Sequence, residues 1–174
     1  AFAACNSGDD KSKNDGMADM KKDSVSHVTP ADDKEIKAVA VTYTNVDAKA
    51  ATALNEIVGH YLHIKNALTN DNGGEAAKGG KAMEKAISGL DKSLLTAEQK
   101  KVYDDIEEDL KEHAEHIGKN GDNIKHQREH FSMMSEDVYD LVKAFGGGQT
   151  LYHDHCPMAN DNKTLGRFIL DGIP

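Results

Sequence analysis

The chain is 174 residues long, with 38% apolar residues, 29% charged residues, 5% aromatics and no Trp, which suits one modest domain of about 100–150 residues with a tail and not two independent cores. Against 21 basic side chains stand 30 acidic ones, for a formal charge of −9; such a chain repels polyphosphate, and nucleic acid is excluded as an expected partner. No run approaches the roughly 18 consecutive apolar residues of a membrane-spanning helix.

The first five residues, Ala1-Phe2-Ala3-Ala4-Cys5, are small or apolar, end in a Cys and are followed by Asn6-Ser7-Gly8-Asp9-Asp10. They resemble the end of a bacterial lipoprotein signal, where small residues let a peptidase reach the bond before a Cys that becomes lipid-modified. Residues 1–5 are therefore expected to be the remnant of such a signal, with Cys5 lipidated and the domain held at the cell envelope by that anchor alone. Residues 6–45 read as a flexible tether: to about Lys34 they carry Asp, Lys, Ser and Asn with no steady period, too little apolar surface to bury. Met17 and Met20 lie in it; a thioether pair can catch a soft metal, although isolated tail methionines are usually incidental. The folded domain is expected over residues 46–174.

Helical periodicity begins near Val46. Leu54, Ile57, Val58, Tyr61, Lys65 and Leu68 recur at steps of three and four, and Asn70-Asp71-Asn72-Gly73-Gly74 breaks the pattern, which predicts one amphipathic helix. From Glu75 to Leu90, Ala77, Met83, Ala86, Ile87 and Leu90 share a face, but Gly79-Gly80 inside the run costs on the order of 1 kcal/mol per Gly. Thr96 with Gln99 three residues on is a capping-box start, after which Val102, Ile106, Leu110, His113 and Ile117 form a stripe that stops at Gly118-Lys119-Asn120-Gly121. A fourth stripe, Ile124, Phe131, Met134, Val138, Leu141, Val142 and Phe145, closes at Gly146-Gly147-Gly148. Short connections favour antiparallel neighbours. The expected fold is all-α: an up-and-down antiparallel four-helix bundle with a C-terminal metal-binding loop, and no strand alternation longer than a few residues competes with it.

Of the nine histidines, eight fall in four close pairs, His60/His63, His113/His116, His126/His130 and His153/His155. In the first three pairs the spacing sets both imidazoles on neighbouring positions of one helix surface. Taking about 100° per residue, His113 lies within about 30° of the centre of its apolar stripe and His116 at its edge; an imidazole at such a position needs a partner. His130, about 80° from its stripe centre, sits at the border of core and solvent, where a ligand site on a bundle would be built. His126 lies farther round and is a weaker candidate, and His63 points away from its helix's apolar face.

The densest segment is Tyr152-His153-Asp154-His155-Cys156-Pro157-Met158-Ala159-Asn160-Asp161, with two imidazoles, a thiol and a thioether between His153 and Met158. Soft sulfur with imidazole suits Cu(I) first and Zn(II) second, whereas Mg²⁺ or Ca²⁺ would want oxygen. In an extended chain Cys156 and Met158 face one side and His153 and His155 the other. The simplest arrangement folds Cys156 and Met158 inward to meet His113, His116 and His130. If Cys5 is lipidated, Cys156 has no intramolecular thiol partner, and metal ligation or deep burial is what would protect it in an oxidising compartment.

Four runs carry a family resemblance: Glu112-His113-Ala114-Glu115-His116-Ile117; His126-Gln127-Arg128-Glu129-His130-Phe131; Ser135 with Tyr139-Asp140-Leu141-Val142-Lys143; and His155-Cys156-Pro157-Met158-Ala159-Asn160-Asp161. From about Asp47 to Asp161 the chain resembles an uncharacterised bacterial domain family found as lone periplasmic lipoproteins, with a related domain fused to the adaptor subunits of copper/silver-type heavy-metal efflux pumps. The resemblance implies a helical bundle, a periplasmic or envelope location and a heavy-metal-binding role for Cys156, Met158 and the helix histidines. After Asn160-Asp161 the chain departs from the family's usual Trp-containing ending and late Cys, and runs Asn162-Lys163-Thr164-Leu165-Gly166 instead.

Enzyme readings find little support in the sequence. A di-iron site wants Glu three residues before His on two helices, and no Glu here stands so; nor is there a His-Glu-x-x-His. Gly146-Gly147-Gly148 follows a helix and is a stop signal, not a phosphate cradle. Two expectations remain. One is a copper-binding envelope lipoprotein that buffers metal or hands it to an efflux-pump adaptor or other envelope protein, with zinc as second metal. The other is a metal-free helical interaction module.

Overall fold

The computed structural model describes residues 39–156 and 166–171; within the strands, the side chains of His155, Cys156 and Arg167 lie outside the description. Four helices follow in chain order: α1 Ala48–Thr69, α2 Gly73–Gly89, α3 Ala97–Lys119 and α4 Ile124–Phe145, with a 3₁₀ turn at Lys92–Leu94. Each begins where a short polar side chain meets free backbone N–H groups. Asp47 accepts from Lys49 N at 2.8 Å, Asn72 from Glu75 N at 3.0 Å and Asn123 from His126 N at 3.3 Å. The capping box at α3 forms in both directions, Thr96 N donating to Gln99 Oε1 at 3.0 Å and Gln99 N to Thr96 Oγ1 at 3.3 Å. Helix α4 stops at Gly146, whose φ of 83° is the left-handed conformation that a Cβ would penalise.

The helices close a ring: α1 packs on α2, α2 on α3, α3 on α4, and α4 back on α1. This is the expected four-helix bundle. Its core holds Leu54, Ile57, Tyr61, Ile64, Met83, Ile87, Tyr103, Leu110, Ile117, Met134, Val138 and Leu141, all nearly without solvent exposure. Burial pushes the Tyr103 hydroxyl well above the ordinary phenol range.

The Gly79-Gly80 pair does not interrupt α2. A Cβ on Gly79 would stand 2.8 Å from Ile64 Cγ1 of α1, and one on Gly80 would stand 2.7 Å from both Ala114 O and Gly118 N of α3. Missing side chains let α2 approach both neighbours closely, and the contact offsets the helix-propensity cost.

The C-terminal segment differs from the expected loop. Tyr152–Cys156 (β1) and Gly166–Leu170 (β2) form an antiparallel pair, with Tyr152 opposite Leu170 and Cys156 opposite Gly166. The ribbon is short and its first strand offers no apolar face, Asp154 standing between Tyr152 and Cys156 on one side and His153 and His155 on the other, so its pattern is invisible locally. Docking on the bundle holds it there. Ile169 is buried and its N–H donates to Tyr61 Oη at 3.0 Å, while Tyr61 Oη and Ser135 Oγ lie 3.0 Å apart. Phe168 stacks on Phe131 at 6.0 Å, and Phe131 on Tyr61 at 4.8 Å. At the C-terminal end of α4, Thr42 N donates to Lys143 O and Tyr43 N to Ala144 O, both at 2.9 Å, satisfying carbonyls that the last helical turn leaves open.

Candidate metal centre

The seam between α3 and α4, beside their connecting turn, gathers four imidazoles. The turn itself is built from small polar residues: Asn120 Nδ2 donates to His116 O at 2.8 Å, Asn123 N to Asn120 O at 3.0 Å, and Asn123 caps α4. These bonds fix how α4 starts and so set the phase of His126 and His130 against His113 and His116. Gln127, fully buried, donates from Nε2 to Gly73 O at 2.9 Å and Ile117 O at 3.0 Å, tying α4 to α2 and α3 beside the cluster. Arg128 does the same toward the end of α1, donating to Leu68 O at 2.8 Å and Asp71 at 2.6 Å.

His116, His126 and His130 each present a ring nitrogen within 4.8 Å of the other two, the one such convergence of His, Cys, Asp or Glu ligand atoms among the described residues. His116 Nδ1 and His126 Nε2 are 3.2 Å apart; two nitrogens sharing a tetrahedral metal at about 2.0–2.1 Å would be separated by roughly 3.3–3.4 Å. His116 stacks on His130 with centroids 4.0 Å apart and an 11° interplanar angle, and His126 meets His130 edge-on at 4.5 Å. The three histidines could therefore hold a metal ion with small ring movements. His130 is 9% exposed, whereas the His116 side chain is 42% exposed, so one wall of the site is dry and the other opens to water for exchange.

His113 stands behind this triangle, its Nδ1 3.2 Å from His130 Nδ1. On its far side, His113 Nε2 lies 3.8 Å from Asp137 Oδ2, a buried atom with no hydrogen-bond partner among the described residues. Burial, then the coulombic pressure of His116, His126 and His113, push the His130 ring down to about 4. Burial also lowers His113, against the opposing pull of Glu112 and Asp109. Asp137 is pushed up to about 7, by burial first and then by Asp109, Asp140 and Glu136. Both rings are thus neutral at physiological pH, the form that ligates. At the rim, Glu112 lies 3.9 Å from His116 and Glu129 lies 3.8 Å from His126, negative charge that favours a bound cation.

Of the residues singled out from sequence, His116 and His130 sit in the triangle and His113 touches it. His126, judged the weaker member of its pair, is in it; Asp137 was not singled out at all. His153 is exposed with its ring 4.3 Å from the Tyr139 ring. His155 and Cys156 are placed by backbone only, opposite Arg167 and Gly166. Met158 and Cys5, like Met17 and Met20, lie outside the described residues. His63, set aside from sequence, pairs with Glu75 at 3.0 Å, and His60 lies 3.7 Å from Glu56. A usable signal for His126 was its symmetry about the turn: His116 and His126 each lie five residues from Gly121, so in an antiparallel pair they share a rung.

A family model described as a protein of unknown function (DUF3347) matches residues 57–150, a span that includes all four clustered histidines and Asp137. The match carries no link to efflux adaptor subunits. No curated protein and no solved structure matches the chain.

Proposed function

The chain belongs to this family of unknown function, and from the residues within the matched span we propose that the bundle reversibly binds one late first-row transition-metal ion, copper first and zinc second, as cargo. The observation that carries the reading is the convergence of His116, His126 and His130 within 4.8 Å across two helices. Imidazole suits both metals, and nitrogen sites generally bind Cu²⁺ above Zn²⁺. Partial exposure of His116 favours exchange over permanent storage, so the protein would buffer metal or hand it on, without catalysing a reaction. Cys156 and Met158, on the segment that follows α4, would supply soft donors that favour Cu(I). In the same proposal Cys5 is the lipid anchor, the location is the periplasm or envelope, and the recipient is an efflux-pump adaptor or another envelope protein.

Anaerobic titration of the reduced protein with Cu(I), and separately with Zn(II), under a competing chelator tests it. A 1:1 complex weakened at least about 100-fold by H116A, H126A or H130A supports the reading, each change removing one of three ligands. C156S with M158L should lower Cu(I) affinity while sparing Zn(II). Binding no tighter than that of the triple His→Ala variant overturns the metal proposal and leaves the metal-free interaction module, in which the 3.2 Å nitrogen contacts are N–H···N hydrogen bonds.

A further inference from the structure

Resting on the reading of His116, His126 and His130 as ligands, the geometry points to Asp137 and His113 as a positioning relay that fixes which nitrogen His130 offers to the metal. His113 Nδ1 and His130 Nδ1 face each other at 3.2 Å, and two neutral imidazoles in such a contact share one hydrogen between them. Whichever ring donates, its other nitrogen is bare. If His113 donates, His130 carries its hydrogen on Nε2 and has no lone pair left for a metal. If His130 donates from Nδ1, its Nε2 is bare and available.

Asp137 decides between the two. Once ionised, as at the pH 8 of the test below, its carboxylate accepts only; its Oδ2 is buried without another partner among the described residues, and the nitrogen it faces, at 3.8 Å, is His113 Nε2. A hydrogen on His113 Nε2 satisfies that oxygen once the gap closes, and the same choice strips Nδ1 of its hydrogen. His113 then accepts from His130 Nδ1, and His130 Nε2 is left bare. At 3.8 Å the contact is outside hydrogen-bond range; site contacts that are long in the unliganded state commonly tighten on binding. Elsewhere, a carboxylate or carbonyl on the distal nitrogen of a ligating ring fixes tautomer and orientation. Here the effect would pass through an intervening imidazole.

The test reads tautomers directly. Long-range ¹H–¹⁵N spectra of the full protein at pH 8, metal-free and with one equivalent of Zn(II), should show His113 protonated at Nε2 and His130 at Nδ1 in both states. A hydrogen on His113 Nδ1 in both overturns the relay. In parallel, Zn(II) affinity is measured for the wild type, D137N and H113A, with circular dichroism to confirm folding. A loss of about 10- to 100-fold in D137N, the range for outer partners of metal ligands, together with a changed His130 tautomer, is the expected result. Wild-type affinity in D137N with the tautomers unmoved sinks the relay while leaving the triad intact. Failure of the wild type to form a 1:1 Zn(II) complex sinks the triad instead, and the metal-free spectra still decide the tautomer claim.

Discussion

His130 and Asp137 carry opposite proton linkages. The unfolded ring titrates near about 6.5 and an unfolded Asp near about 3.9, against about 4 for His130 and about 7 for Asp137 in the fold. Between pH 4 and 6.5 the unfolded state holds more protons at position 130, so this residue makes stability fall as pH falls. Asp137 acts the other way: the folded state keeps a proton that the unfolded state releases, so its contribution is full below about 3.9 and is lost as pH rises toward 7. Facing Asp137 are Asp109, Asp140, Glu136 and His113, and facing His130 are His116, His126 and His113. The Asp137 slope offsets part of the fall over that window, while His113, also lowered by burial, adds to it, so metal-free wild type should lose urea stability from pH 6.5 to 4.5 only gently. D137N removes the Asp137 slope; it should be more stable than wild type at pH 7.5, by on the order of 1–3 kcal/mol, and lose stability steeply on acidification. A flat profile in D137N contradicts this account. The residue scale is also where sequence reading fell shortest. Angles about a single helix axis rank His113 above His126, because they know the stripe but not the neighbouring helix, and a site on a seam is defined by both.

Helix positions were legible at the element scale. The cap at Thr96, the break that opens at Asn70 and the stop at Gly146 mark real ends because each satisfies specific backbone groups, although α2 already begins at Gly73, inside the predicted break. The meaning of Gly79-Gly80 was not legible: propensity records its cost, and only the facing atoms, Ile64 of α1 and the backbone of α3, show what offsets it. G80A should therefore destabilise the protein by about 1–3 kcal/mol despite its helix-favouring side chain, since the new methyl meets Ala114 O and Gly118 N, which are backbone atoms. G59A in α1, where a Cβ meets nothing within 4 Å, should stabilise by roughly 0.5–1 kcal/mol. Thermal melts of the two variants side by side check the contrast; equal shifts would mean that the α2–α3 approach yields easily. The ribbon was missed for a related reason. Five-residue strands have little period of their own, and Ile169 is held by Tyr61, more than a hundred positions earlier in the chain.

For the molecule as a whole, a ligand that binds the folded state alone raises its stability by about 2.7 kcal/mol at a hundredfold excess over the dissociation constant. Zn(II) should accordingly raise the melting temperature of the wild type and leave the H116A/H126A/H130A variant unmoved. An equal rise in both would place the metal elsewhere. The turn joining α3 and α4 adds a refinement. All three ring donors lie between positions 116 and 130, so they stay near one another even when the rest of the chain is unravelled. If the triad is the site, an opened polypeptide keeps part of its grip on the ion, and the rise should fall short of the full mass-action value. On the proposed function, a protein built this way would capture its ion before the remaining helices have assembled, and would keep hold of it through transient opening of the bundle.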